Sequence, residues 1–203
     1  MGVGCGAQLA LKLFRDIDKK DIIAISDSLC EHVSLLGDCF FMKNPLESSS
    51  IVFLDETSAE RFLPSLLKSQ LLVICCNKTP CQRFIKAVGE IGYAASASID
   101  DVEDFNKKVN KALSMSGIRY IEVLTPCPRE WDYDASLTAH VAGSFVESGV
   151  WPLFEIENKR VVLGSRPSKL GVMESVHSIQ GKYNFDQKTV ESNWRRLVEL
   201  SIK

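Results

Sequence analysis

Short apolar runs alternate with helical patterns along this sequence, and that alternation limits its fold more than any other feature. DIIAIS at 21–26 and LLVICC at 71–76 are bounded by polar residues and are typical of buried strands. Between and after such runs, apolar residues recur at helical spacing, for example Phe84, Ile85 and Val88. Strands that alternate with helices predict an α/β fold with a mainly parallel sheet and helices on both faces.

The last quarter of the chain has a different pattern. Residues 151–157 and 160–163 predict a hairpin around Asn158 and Lys159, and Asp186 is placed to cap a final helix that carries Trp194. No repeat, low-complexity tract or linker divides the sequence. We therefore predict a single α/β domain over 1–203, with a C-terminal extension of hairpin and helix from about 150.

Charge and hydropathy exclude several classes of function. The 24 basic and 26 acidic residues give a formal net charge of −2, without a basic block, so neither nucleic acid nor a membrane surface is an expected partner. No apolar run approaches the roughly 20 residues that span a bilayer. The first residues lack the basic region of a signal peptide, so a cytoplasmic protein is predicted.

Seven cysteines are many for a cytoplasmic protein, where disulfides are rare. Cys5 stands directly before a helical pattern, Cys30 lies a few residues beyond DIIAIS, and Cys127 lies between two prolines after another strand pattern. Thiols at one edge of a sheet could bind an iron–sulfur cluster, but the spacing alone favours inert buried thiols. A redox pair of Cys75 and Cys76 is disfavoured because neighbouring side chains on a strand point to opposite faces.

Several longer segments resemble one enzyme family. The PCP turn at 126–128, Trp131 and the run SGVWPLFEIEN at 148–158 are the most specific pieces, within a similar segment over 117–159. GCGAQLALKLF at 4–14 and VHSIQGKY at 176–183 add to them. These segments resemble the β subunit of pyruvate:ferredoxin oxidoreductase and its 2-oxoacid relatives. The likeness is weakest from 37 to 76.

The resemblance implies a truncated thiamine-diphosphate-binding fold and a β-type subunit that is not active alone. Its complex would decarboxylate a 2-oxoacid oxidatively, transfer the acyl group to coenzyme A and pass electrons through an iron–sulfur cluster to ferredoxin. Partners would be the α-type and γ/δ-type subunits. The alternative is a cofactor-free, non-catalytic relative that serves as an assembly or electron-relay module with an α-type partner.

The resemblance also implies cluster ligands. Cys5, Cys30 and Cys127 match three of the family's four cysteine positions, and the fourth position is Gly2. The three thiols could hold a [3Fe–4S] cluster or a [4Fe–4S] cluster with an outside ligand, or they could be remnants.

The family's thiamine diphosphate and Mg²⁺ are bound by a Gly-Asp-Gly loop and a later asparagine. Asp55 and Asn77 match the aspartate and the asparagine, but Leu54 and Glu56 replace the two glycines. Glu56 would repel a diphosphate. Asp55 alone also fits a capping or turn carboxylate.

Overall fold

The computed structural model describes residues 5–17, 22–25, 51–68, 70–82, 84–164, 166–172 and 185–202. Within these ranges the elements alternate as the sequence predicts. They are, in chain order, α1 (Gly6–Ile17), β1 (Ile22–Ile25), β2 (Ile51–Asp55), α2 (Glu56–Leu66), β3 (Leu72–Asn77), α3 (Ile85–Gly89), β4 (Tyr93–Ser98), α4 (Val102–Ser114), β5 (Arg119–Leu124), α5 (Pro128–Trp131), a 3₁₀ turn (Ala135–Leu137), α6 (Thr138–Glu147), β6 (Phe154–Glu157), β7 (Arg160–Leu163) and α7 (Gln187–Ser201).

The described strands form one seven-stranded sheet in the order β1-β2-β3-β5-β4-β6-β7. The first five strands of the chain pair in parallel, whereas β6 pairs antiparallel with β4 and β7 pairs antiparallel with β6. The prediction of a mainly parallel α/β sheet is confirmed. Because the parallel strands share one direction, the loops after β2, β3 and β5 meet at one edge, which we call the carboxyl edge.

The sheet buries both of its faces, as a parallel sheet must when helices cover each side. The first face packs against α1, α4 and α6 and includes Phe14, Phe105 and Phe145. The second face packs against α2, α3 and α7, which contributes Trp194 and Leu197. Helices on both faces are therefore confirmed as well. Within the described ranges, no helix is both long and apolar enough to cross a membrane.

The predicted hairpin is also confirmed. Asn158 and Lys159 have φ values of 50° and 65°, the left-handed pair that a two-residue turn between twisted strands requires. The indole N–H of Trp151, just before the hairpin, donates to the Ala97 carbonyl at 2.9 Å. Lys111 binds Glu155 of β6 at 2.7 Å. These contacts fasten the antiparallel strands to the parallel sheet.

Candidate functional site at the carboxyl edge

The ends of β2, β3 and β5 bring the predicted site residues to neighbouring positions on the sheet. The register pairs Asp55 with Cys76, and Asn77 with Leu124. The loop after β5 is held against the end of β3, because the Thr125 backbone N–H donates to the Asn77 carbonyl at 2.8 Å. Ligands of open parallel sheets bind at such edges.

Two of the predicted cluster thiols lie at one corner of this edge. Gly6 approaches the loop after β5 so closely that an added Cβ would lie 2.6 Å from the backbone carbon of Thr125. Cys5 therefore stands beside the loop that carries Cys127. Both thiols are half-buried. Burial, with smaller effects of Cys127 and Cys5, raises the pKa of the nearby Tyr133 hydroxyl to about 12.

The third predicted thiol, Cys30, lies outside the described residues, as does Gly2. The meeting of Cys5, Cys30 and Cys127 at one point stays a prediction. In the ranges that the structure describes, no three His, Cys, Asp or Glu residues are grouped so that they could hold a metal ion. Cys5 and Cys127 by themselves supply two thiolate ligands, fewer than an iron–sulfur cluster takes.

Cys76 is a neighbour of this corner that sequence reasoning missed. It is 5% exposed and belongs to the core of the first face, next to α1. Burial, together with the nearby Cys5 and Asp55, raises the pKa of the Cys76 thiol. The thiol is therefore protonated at neutral pH. Alternation along β3 separates Cys76 from Cys75, but only the register pairs Cys76 with Asp55.

Asp55 has a structural task at the start of α2. Its side chain is nearly buried, at 3% exposure, and its Oδ1 accepts the Ser58 N–H at 2.7 Å. That bond is an N-cap, which satisfies one of the free backbone donors of the first helical turn.

Glu56, the first residue of α2, joins the start of that helix to the turn after β3. Its Oε1 accepts the Thr79 backbone N–H at 2.9 Å, and its Oε2 accepts the Thr79 hydroxyl at 2.9 Å. Both carboxylate oxygens are thus bound by one residue of the neighbouring turn. We call this pair of bonds the Glu56–Thr79 contact.

Asn77 belongs to the other face of the sheet. Because side chains alternate along β3, Asn77 lies on the second face with Cys75, opposite to Cys76. Its Oδ1 accepts the Cys75 thiol at 3.1 Å, and its amide donates to the Cys81 carbonyl at 3.2 Å. Asp55 and Asn77 therefore do not converge as the resemblance implies.

Glu122 is a buried carboxylate below this loop that sequence reasoning also missed. It is fully buried on the second face, where its Oε1 accepts the Phe84 N–H and the Tyr120 hydroxyl, each at 2.9 Å. Its Oε2 is buried with no hydrogen-bond partner in the described part of the chain. Burial, opposed by those two hydrogen bonds, raises the pKa of Glu122 to about 7. The available signal was the charged residue inside the strand pattern RYIEVL.

These residues do not fit a magnesium diphosphate. Leu54 and Glu56 replace the two glycines that would let phosphates approach the backbone. Asp55 caps α2, and Asn77 lies on the other face of the sheet. Lys78, whose ammonium interacts electrostatically with Asp55, pairs with Glu130 at 2.6 Å. The two adjacent carboxylates at the start of α2 are instead hydrogen-bonded to groups of the chain itself.

Comparison with known proteins gives a consistent relationship. The chain is 38% identical over 99 residues to pyruvate synthase subunit PorB of Methanocaldococcus jannaschii, a stretch that covers 49% of this chain and 33% of the relative. It is 43% identical over 74 residues to PorB of Pyrococcus horikoshii, covering 36% of this chain and 22% of that subunit. The chain is a sequence relative of PorB. The resemblance inferred from the PCP turn and its neighbours is thereby confirmed.

Related subunits of other specificity match as well. Ketoisovalerate oxidoreductase subunit VorB of Pyrococcus furiosus is 33% identical over 121 residues, which cover 55% of this chain and 39% of VorB. The chain thus spans about a third of the length of the PorB and VorB relatives. No protein-family model matches it. Among solved structures, a chain of the 2-oxoglutarate:ferredoxin oxidoreductase from Magnetococcus marinus matches at 11% identity and a TM-score of 0.42. The match covers 94% of this chain and 90% of that chain.

Proposed function

We propose that this PorB-like chain is a β-type subunit of a 2-oxoacid:ferredoxin oxidoreductase. The complex would oxidatively decarboxylate a pyruvate-like 2-oxoacid to an acyl-coenzyme A and pass the electrons to ferredoxin. The observation that carries the proposal is the similarity to PorB and VorB subunits at 31–43% identity. The α-type and γ/δ-type subunits would be its partners.

Within that complex, Cys5 and Cys127 are the described residues best placed to serve electron transfer. Their loops are in contact at the carboxyl edge, and thiolates are the ligands that iron–sulfur clusters take. A [4Fe–4S] or [3Fe–4S] cluster would also need Cys30. Oxidative decarboxylation in such complexes requires thiamine diphosphate as the electron sink. Since Asp55 and Asn77 do not fit that cofactor, no catalytic step is assigned to this chain's residues.

The Glu56–Thr79 contact favours a second candidate. A cofactor-free relative would keep the sheet, and it would act as an assembly or electron-relay module with an α-type partner. Its loss of the diphosphate loop would then carry no penalty.

Anaerobic co-expression with the partner subunits separates the two candidates. We expect the chain to co-elute with an α-type subunit, and the complex to contain iron and sulfide in amounts that fall in Cys127→Ser. Cys81→Ser, an exposed thiol, is the matched control. Ferredoxin reduction that depends on a 2-oxoacid and coenzyme A supports the enzyme subunit. Co-elution without such activity supports the module, and failure to co-elute contradicts both.

A further inference from the structure

The turn after β3 binds an anion, which the start of α2 supplies. The Thr79 backbone N–H and hydroxyl both point at one carboxylate, that of Glu56, at 2.9 Å each. A backbone N–H and a hydroxyl that donate to two carboxylate oxygens can donate to phosphate oxygens in the same way. Here a side chain of the same protein takes both donors.

We infer that Glu56 acts as a built-in occupant of this anion position and excludes a diphosphate from it. The inference rests on the proposed family relationship, because that relationship predicts a diphosphate at the start of α2.

Two neighbours of Glu56 strengthen the exclusion. Asp55, directly before Glu56, is nearly buried and bonded to Ser58, so a second carboxylate stays at the same turn. The ammonium of Lys78 is paired with Glu130. A diphosphate arriving here would therefore meet two carboxylates and a cation that already has a partner, and it would have to break both bonds to Thr79.

Removing the carboxylate should reverse the exclusion. In Glu56→Ala, the N–H and hydroxyl of Thr79 lose their acceptor, and an external phosphate oxygen can replace it. We expect the affinity for magnesium pyrophosphate to rise at least about tenfold, because the substitution removes both the charge repulsion and the internal competitor. Glu60→Ala is the matched control, because Glu60 is an exposed residue of the same helix and its loss changes the net charge equally.

Isothermal titration of the full chain with magnesium pyrophosphate, and with magnesium thiamine diphosphate, tests the inference. We expect no saturable binding to the wild type at millimolar ligand, measurable binding to Glu56→Ala, and none to Glu60→Ala. Circular dichroism confirms that each variant is folded.

Micromolar binding of thiamine diphosphate by the wild type overturns the inference. A folded Glu56→Ala that gains no affinity overturns the role of Glu56. Neither result bears on co-elution with an α-type partner, which tests the proposed complex by itself. A confirmed exclusion of the diphosphate favours the cofactor-free module over the enzyme subunit.

Discussion

Replacing Glu122 by glutamine should remove a pH dependence from the stability of the protein. Burial raises the pKa of Glu122 to about 7 from an ordinary value of 4.5. A carboxyl group that binds its proton more tightly in the folded state stabilises that state fully below pH 4.5. This stabilisation is lost as the pH rises towards 7. The pKa difference corresponds to about 3 kcal/mol in total, of which about 2 kcal/mol falls between pH 5.5 and pH 8.

Urea unfolding followed by tryptophan fluorescence measures this effect at pH 5.5 and pH 8. The free energy of unfolding of the wild type relative to Glu122→Gln should decrease by about 2 kcal/mol between the two pH values. Glutamine keeps an oxygen that can accept the Phe84 N–H and the Tyr120 hydroxyl, so the packing is conserved.

Glu155→Gln is the control for this measurement. Burial raises the pKa of Glu155, but hydrogen bonds from Lys111 and Tyr93 outweigh it and leave that pKa lowered. Glu155 therefore stabilises the fold above its unfolded pKa and stops doing so only at more acidic pH. The difference in the free energy of unfolding between the wild type and Glu155→Gln should therefore stay constant from pH 5.5 to pH 8. If Glu122→Gln shows the same constancy, the argument from burial is refuted.

Three further substitutions test the contacts that position the carboxyl edge, each by urea unfolding of the full chain. Gly6→Ala should lower the free energy of unfolding by about 2 kcal/mol or more, because the new methyl would lie 2.6 Å from the backbone of Thr125. Gly143→Ala is its control and should change the free energy of unfolding by less than about 1 kcal/mol, because the added carbon would lie 3.1 Å from the movable carboxylate of Asp100. Trp151→Phe should cost about 2 kcal/mol, since the buried Ala97 carbonyl loses its donor; an unchanged midpoint would contradict that bond's importance. Asp55→Ala should cost about 1 to 2 kcal/mol, and Asp55→Asn, which can still cap α2, should recover most of it; equal losses would argue against the cap.

Periodicity predicted the fold well because both faces of the sheet are covered. A short apolar run such as LVICCN is typical of a strand that is buried on both faces, and the left-handed pair Asn158 and Lys159 marks the hairpin turn. The same alternation correctly placed Cys75 and Cys76 on opposite faces.

Thr57 and Glu60 have the spacing of a capping box, which by itself favours a helix that begins after Thr57. The structure instead uses Asp55 as the cap. A strand that ends in aspartate offers a cap two residues earlier, and the helix begins there because the strand stops there.

The candidate site was less predictable because its decisive contacts join distant parts of the chain. The sequence indicated that Glu56 would repel a diphosphate, but not that Thr79, 23 residues away, would bind its carboxylate. Asp55 and Asn77 could be placed at the ends of adjacent strands, yet only the register shows that their side chains leave the sheet on opposite sides.

The position of α7 bears on how the protein folds during synthesis. Trp194 and Leu197 belong to the core of the second face, yet they follow all seven described strands in the chain. A nascent chain can therefore pair these seven strands while the second face still lacks α7. Until residues 187–201 leave the ribosome, that surface is open to chaperones and to aggregation.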